Sequence, residues 1–425
     1  MKAVVTERAE NGITISVFIP FGRSMLESET NILTSVNSVG QVSTSEALSI
    51  FDTDGDPISV CGVRMTSKGA LPKEYQTPFG AVEIERHVYQ AGGGGKTYCP
   101  LEDKARIIVS STPRFAKVVS SKYAEFGSGR VCEDLKSNHG RTIARSFVQN
   151  LADAVAAVAQ AKEEDWSYAT PKLAEDVATI GIGLGGTCML TCDDGWREAM
   201  VGTLALYGAD GQRLHTTYIA ATPEYGKGTF LDRLKLEIER VKSSYPEALT
   251  VGITDGAIAN WEFLETFTTR QVLDFYHASE YLTKAADAAF PGKAKERKTW
   301  LDDASHRLKH NKTGPKILIK EIEAFKKKRI GSEAKEQLSK VIKYFKNNEH
   351  RMVYSTNIDE NLPIGSGVTE AACKVIVKQR LCNSGMKWKE KGAASVLSLR
   401  TLSYSTGRWD QFWGKVSQYG YCEAA

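Results

Sequence analysis

At 425 residues, with 42% hydrophobic and 25% charged side chains, the chain has the length for about three domains and the composition of a folded protein rather than a disordered one. Its net charge of +4 neither demands nor forbids a polyanionic partner, so the distribution of charge says more than the sum. Glu7, Arg8 and Glu10 stand where a secretion signal needs an apolar stretch, and no later run approaches the ~20 apolar residues of a membrane span, so a cytoplasmic protein with no membrane partner is expected.

Residues 1–110 read as a β-rich N-terminal region. Residues 47–65, ALSIFDTDGDPISVCGVRM, suggest a hairpin whose turn lies at Asp54-Gly55 and Asp56-Pro57. Asp52, Asp54 and Asp56 resemble the start of a calcium loop, but such a loop places its glycine later than Gly55, so the turn is preferred. Residues 77–100 read as a strand pair around four glycines, and Arg86, His87 and Lys96 form a solvated face that could touch phosphates.

Residues 111–170 turn helical. Segments 114–126, 130–138 and 141–165 are separated by Gly-containing breaks, a spacing that fits a helix-turn-helix unit as well as a plain bundle. In the former, Arg141 and Arg145 would open the helix that meets DNA; in the latter they are solvated arginines. The polar stretch 163–176 marks a boundary.

From 171 to 290 the pattern predicts three strands joined by tight turns, an amphipathic helix over 228–246, and a buried strand from Leu249 that ends in Asp255. Eight scattered cysteines with no C-x-x-C pair exclude a zinc ribbon, and Cys188 and Cys192 are read as packing residues. The run LTVGITDGAIANWEFL ends its apolar part at Asp255 and breaks at Gly256. An acid beyond the carboxyl end of such a strand faces a crevice, although TDG alone is more often a cap or a turn. This element order, an antiparallel meander followed by a crossover helix and a parallel strand, matches a ribonuclease H-like core, as it matches other α+β domains.

Residues 291–355 form a basic, helical block. Over 291–351 there are eighteen Lys or Arg against eight Asp or Glu, and Lys326, Lys327, Lys328 and Arg329 stand together. A surplus of that size in a nearly neutral chain fits contact with DNA phosphates. Residues 356–425 continue with Gly365-Ser366-Gly367 and a helix in which Glu370, Lys374 and Lys378 follow at i+4 spacing. Glu370 lies in the first turn, where acids also serve the helix dipole. Trp409 and Trp413 are expected to pack into the core.

Seven stretches together resemble one family: YQTPFGAVEIERHVYQ, GGKTYCPLEDKARI, KSNHGRTIAR, GWREAMVGTLALY, TDGAIANW, LDFYHASEYL and LPIGSGVTEAACKVIVKQRL. In order and spacing, over roughly residues 45 to 415, they resemble bacterial insertion-sequence transposases of the ISKra group, relatives of the Mutator-like DDE superfamily. The resemblance implies an α/β ribonuclease H-like core in two parts (171–290 and 356–425), interrupted by the all-helical insertion 291–355 and preceded by a β-hairpin and helix-turn-helix DNA-binding region. It implies double-stranded DNA as partner, both element ends and target, and a homo-oligomer. It also implies two Mg²⁺ or Mn²⁺ ions held by a carboxylate triad, with Asp255 second and Glu370 third. Asp274-x-x-His277 matches a signature of the superfamily, which places His277 near the site. The first acid is missing. Where the family has Asp-Gly-Thr, this chain has Gly185-Gly186-Thr187, and glycine offers no ligand. Two expectations therefore stand side by side: a transposase that cleaves and joins DNA, and a catalytically dead or domesticated DNA-binding protein of the same descent.

Overall fold

In the computed structural model, which describes residues 3–163, 165–224, 226–328 and 331–420, the chain divides into two compact units. The first comprises residues 1–168, 398–403 and 408–425, and the second residues 169–397 and 404–407. Among the described residues no helix is long and apolar enough to cross a membrane.

The first unit opens with an antiparallel ribbon of β1 (Val4–Ala9) and β2 (Gly12–Ser16), followed by α1 (Met25–Ser49). Hydrophobic periodicity does not announce α1, because Ser, Thr and Asn are frequent in it and many of its apolar residues stay exposed. Its start is encoded in Ser24 and Glu27: the Ser24 hydroxyl accepts from Glu27 N–H at 3.2 Å, and Glu27 accepts from Arg23 N–H at 2.7 Å. The hairpin expected across Asp54-Gly55 forms later, where β3 (Ile58–Val60) and β4 (Val63–Gln76) meet across Cys61 and Gly62. Both turn residues have positive φ, 47° and 79°, as a tight two-residue hairpin requires. Asp54 closes a local turn by accepting from Asp56 N–H at 3.0 Å. β5 (Ala81–Ala91) pairs antiparallel with β4, and beyond the glycine run the expected partner strand is reduced to a bridge between Tyr89 and Tyr98.

After α2 (Pro100–Lys104) come α3 (Pro113–Glu125), α4 (Ser128–His139) and α5 (Arg145–Ala161). The three helices lie where the sequence predicts them, but α5 starts at Arg145 instead of Arg141. Arg141 is buried in the preceding coil. Its guanidinium donates to Gln76 Oε1 at 2.6 Å and the Thr77 carbonyl at 3.2 Å and lies over the Phe115 ring, contacts that hold residues 141–144 extended. The closing helix α16 (Arg408–Tyr419) also belongs to this unit, where Phe412 and Trp413 are buried and Trp409 is half-buried.

The second unit is built on one mixed sheet. β6 (Thr179–Thr191), β7 (Gly195–Tyr207) and β8 (Arg213–Ala221) form an antiparallel meander; α6 (Gly228–Ser244) leads to β9 (Leu249–Thr254), parallel to β6. α7 (Ile258–Leu264) then leads to β10 (Arg270–Leu273), parallel to β9, which gives the order β10-β9-β6-β7-β8. α8 (Phe275–Ala289), α9 (Ala294–His310), α10 (Gly314–Lys326) and α11 (Ser332–Asn348) follow. Their apolar faces, among them Leu308, Ile322, Val341 and Phe345, join the same core as the sheet. The basic block is therefore an amphipathic bundle that buries one side and turns its charge outward. α12 (Tyr354–Asp359) precedes α13 (Gly367–Ala372), which runs through a π-helical turn at Cys373–Lys378 into α14 (Gln379–Leu381); α15 (Glu390–Tyr404) follows.

Candidate functional site

The alternation in β6 decides what can approach the sheet. Ile180, Ile182 and Leu184 point to the side covered by α6, where they share a core with Phe230 and Leu234. Gly181, Gly183 and Gly185 occupy the other face. A Cβ at Gly183 would overlap Thr369 Oγ1 and come within 2.9 Å of Thr203 Oγ1. The bare glycine face thus lets α13 lie directly on the strand, fastened by a buried hydrogen bond between Thr203 and Thr369 hydroxyls at 2.8 Å. Close packing fixes where Glu370, one residue further on, can be.

Asp255 follows the last residue of β9 and is exposed. Its Oδ1 accepts from Ala257 N–H at 3.1 Å and from the Thr254 hydroxyl at 3.2 Å, so the cap-like role open to a TDG motif is real. Gly256, at φ +101°, makes the sharp exit that residues with a Cβ rarely adopt. Gly185 lies in mid-strand. It nevertheless stands just past the last pairing of β6 with β9, Gly183 with Ile253, where the two strands part and a crevice opens.

Asp274 is fully buried at the N-cap of α8. Its Oδ1 accepts from His277 N–H at 2.7 Å, and its Oδ2 accepts from Ser366 N–H. The Ser366 hydroxyl donates to Glu370 Oε1 at 3.0 Å. The Gly365-Ser366-Gly367 turn therefore connects both acids through one serine. Among the described residues, Asp274, His277 and Glu370 each present a ligand atom within 4.8 Å of the others, with Asp274 buried, His277 half-buried and Glu370 exposed. Asp274 was not among the expected ligands, although its D-x-x-H spacing was the available signal.

His277, Ser366 and Glu370, but not the fully buried Asp274, line a cleft of about 620 Å³ that also includes Gly185, Gly186, Thr187, Asp255, Thr369, Cys373, Lys374 and Lys378. The structure thus gathers Gly185, Asp255, His277, Glu370, Lys374 and Lys378 from distant parts of the sequence. Lys374 and Lys378 are exposed, and neither forms an ion pair among the described residues. Burial pushes the Cys373 thiol up to about 11, so it is protonated near neutral pH. Asp193 and Asp194 sit in the turn between β6 and β7 and do not line the cleft. The Tyr344 hydroxyl of α11 donates to the Asp255 carbonyl at 2.9 Å, and Tyr344 stacks on Tyr281 with centroids 3.6 Å apart.

The other expected contacts with DNA lie elsewhere. Arg145 is exposed on the first unit and donates to Ser128 Oγ at 3.0 Å, whereas the burial of Arg141 removes it from any surface that α5 could offer. Lys326, Lys327 and Lys328 are exposed at the end of α10 and do not line the cleft; Arg329 lies outside the described residues. No known family's sequence model matches the chain, and no curated protein matches it.

Proposed function

We propose that the chain is a DNA-processing protein of transposase descent, and that the cleft beside Gly185, Asp255 and Glu370 is where a DNA phosphodiester is bound for cleavage and strand transfer. The observation that carries this is the convergence itself. Residues separated by up to 193 positions, from Gly185 to Lys378, line one cleft where β6 and β9 part, and they include acids and two unpaired lysines. The strand order β10-β9-β6-β7-β8, with a meander followed by two parallel strands, supports a ribonuclease H-like core, and the four helices inserted after β10 support the divided arrangement of that core. The exposed Lys326–Lys328 are suited to DNA lying beyond the cleft, the exposed Arg145 of the first unit is suited to a DNA contact of its own, and pairing of two DNA ends would call for a homo-oligomer.

In this reading Lys374 and Lys378 hold backbone phosphates as point charges. The exposed Asp255 carboxylate accepts the proton of the attacking water or 3′-hydroxyl as its oxygen bonds to phosphorus, while the P–O bond to the departing strand breaks and that oxygen takes up a proton from water. A divalent ion would neutralise charge developing on the phosphoryl oxygens. Three carboxylates are needed for the expected two-metal arrangement, and the residues present do not complete it: Gly185 has no donor, and the tightest ligand cluster is Asp274, His277 and Glu370.

A second reading, a DNA-binding protein without catalysis, is favoured by Gly185 alone. A Cβ there would meet nothing closer than Thr369 Cγ2 at 3.4 Å, so a side chain can begin there without a clash. A strand-transfer assay with Mn²⁺ on the chain, Asp255→Asn and Gly185→Asp separates the two. The enzyme reading expects product from the unaltered chain and none from Asp255→Asn. Product from Gly185→Asp alone would establish the second reading, and absence of DNA binding by every form would overturn both.

A further inference from the structure

We infer that Asp274, His277 and Glu370 form a mixed carboxylate and imidazole site for one transition-metal dication, in place of the all-carboxylate site expected across Gly185, Asp255 and Glu370. This refines the same cleft but does not rest on the nucleic-acid reading, since the ion would bind without DNA.

Three observations carry it. The first is distance. Two ligands on opposite sides of an ion with bonds of ~2.1 Å lie about 4.2 Å apart. Only one pair of three ligands can be opposite, and neighbouring ligands at that bond length lie roughly 3.0–3.6 Å apart; the three ligand atoms lie within 4.8 Å of one another, so side-chain movements of under about an ångström close the site. Half-buried His277 and exposed Glu370 can supply that movement, while Asp274 is held by two backbone N–H donors.

The second is charge. Asp274 has no exposed surface, and among the described residues no Lys or Arg pairs with it. A buried carboxylate commonly has a cationic or metal partner; here two backbone N–H donors, one of them at the N-terminus of α8, supply part of that compensation and leave room for a cation. Each of its oxygens has a further lone pair beyond the hydrogen bond it accepts.

The third is orientation. Glu280 Oε2 lies 3.6 Å from His277 Nδ1, one helical turn along α8. At that distance the carboxylate is an electrostatic neighbour of the ring and not a hydrogen-bond acceptor; a carboxylate beside one ring nitrogen is a recurrent arrangement around metal-bound histidine. Ser366 similarly restrains Glu370 through a 3.0 Å hydrogen bond. With an imidazole among its donors, the site prefers Mn²⁺, Co²⁺ or Zn²⁺ to Mg²⁺, which favours oxygen ligands and waters.

The test is Mn²⁺ binding to the full chain without DNA, followed by titration and by pulsed electron paramagnetic resonance, which detects a coordinated imidazole nitrogen. The expected result is a stoichiometric Mn²⁺ ion with a nitrogen signal, at least tenfold weaker competition by Mg²⁺, loss of the signal and binding weakened by more than the ~10- to 100-fold typical of losing an outer-shell partner in His277→Ala, and affinity within about twofold of the unaltered chain in Asp255→Asn. Glu370→Gln should weaken binding as His277→Ala does. Absence of Mn²⁺ binding, a bound ion with no nitrogen signal, or equal losses in Asp255→Asn and His277→Ala would overturn the assignment. The nitrogen signal of the unaltered chain decides the matter even if a variant folds poorly. Loss of DNA activity with the metal site intact would instead count against the proposed function alone.

Discussion

The hydroxyl of Tyr344 donates to the backbone carbonyl of Asp255 at 2.9 Å, so a helix of the basic block reaches the strand end from which the cleft is built. Tyr344 lies parallel to Tyr281 of α8, at 3° between planes, and Lys284 caps the other ring at 4.2 Å from the Tyr281 centroid. The inserted helices thereby do more than carry positive charge. Tyr344→Phe should preserve the stack and lose only the hydrogen bond, at a cost of roughly 0.5–1.5 kcal/mol. Thermal unfolding should show a drop of a few degrees, with DNA cleavage reduced more than DNA binding. A variant with unaltered unfolding and cleavage would show that the hydroxyl does not position Asp255.

Gly183 and Gly185 make a matched pair on one face of β6. Alanine at Gly183 must push α13 off the strand, because its Cβ would overlap the Thr369 hydroxyl; overpacking of this kind costs roughly 1–3 kcal/mol. Alanine at Gly185 meets only an ordinary contact at 3.4 Å and should leave the unfolding temperature nearly unchanged. Because Glu370 rides on α13, Gly183→Ala should also weaken metal binding, while Gly185→Ala should not. Calorimetry and Mn²⁺ titration on the two variants check both halves; equal destabilisation would contradict the packing argument.

Much of the second unit was legible in the sequence because β6–β9 are apolar runs punctuated by tight turns and α6 repeats its apolar residues at helical spacing. The missing pieces share a physical cause. α1 has little apolar periodicity, and the hairpin before β4 turns at Cys61-Gly62, which looks weaker on paper than Asp54-Gly55. Arg141 was read as a surface cation because residue type favours exposure; its burial depends on Gln76, Thr77 and Phe115, far away in sequence. Asp255 and Glu370 were visible as candidate acids. Asp274 was visible only as half of a spacing, since its partnership with Ser366 spans 92 residues.

Cys373 offers a pH readout inside the cleft. Burial raises its thiol from an ordinary value of 9.0 to about 11, so the folded chain holds the proton where the unfolded chain has lost it. The sign follows: this contribution to stability is complete below pH 9 and fades as pH rises from 9 towards 11. Thiol labelling should therefore be slow at Cys373 at pH 8 while exposed Cys61, Cys188 and Cys192 react, and should accelerate towards pH 11. Mass spectrometry of labelled peptides resolves the sites. Rapid labelling of Cys373 at pH 8 in the folded protein would show that the thiol is neither buried nor protonated.

Lys374 and Lys378 lie beyond Glu370, both within the π-helical turn that widens this segment at the cleft. If both contact phosphates, their replacement by alanine removes two counterion-releasing contacts, and the slope of log affinity against log salt for double-stranded DNA should fall by about 1.8. Alanines at Lys326, Lys327 and Lys328 should flatten the slope as well, by up to about 2.7 if all three reach phosphates. The clusters differ in what else they change: Lys374 and Lys378 face the acids, so their loss should lower cleavage at saturating DNA, whereas loss of the α10 cluster should lower affinity and leave saturated cleavage unchanged. Fluorescence anisotropy across a salt series, paired with cleavage at saturating DNA, distinguishes the two. An unchanged slope in the Lys374 and Lys378 double variant would remove the cleft from the DNA path.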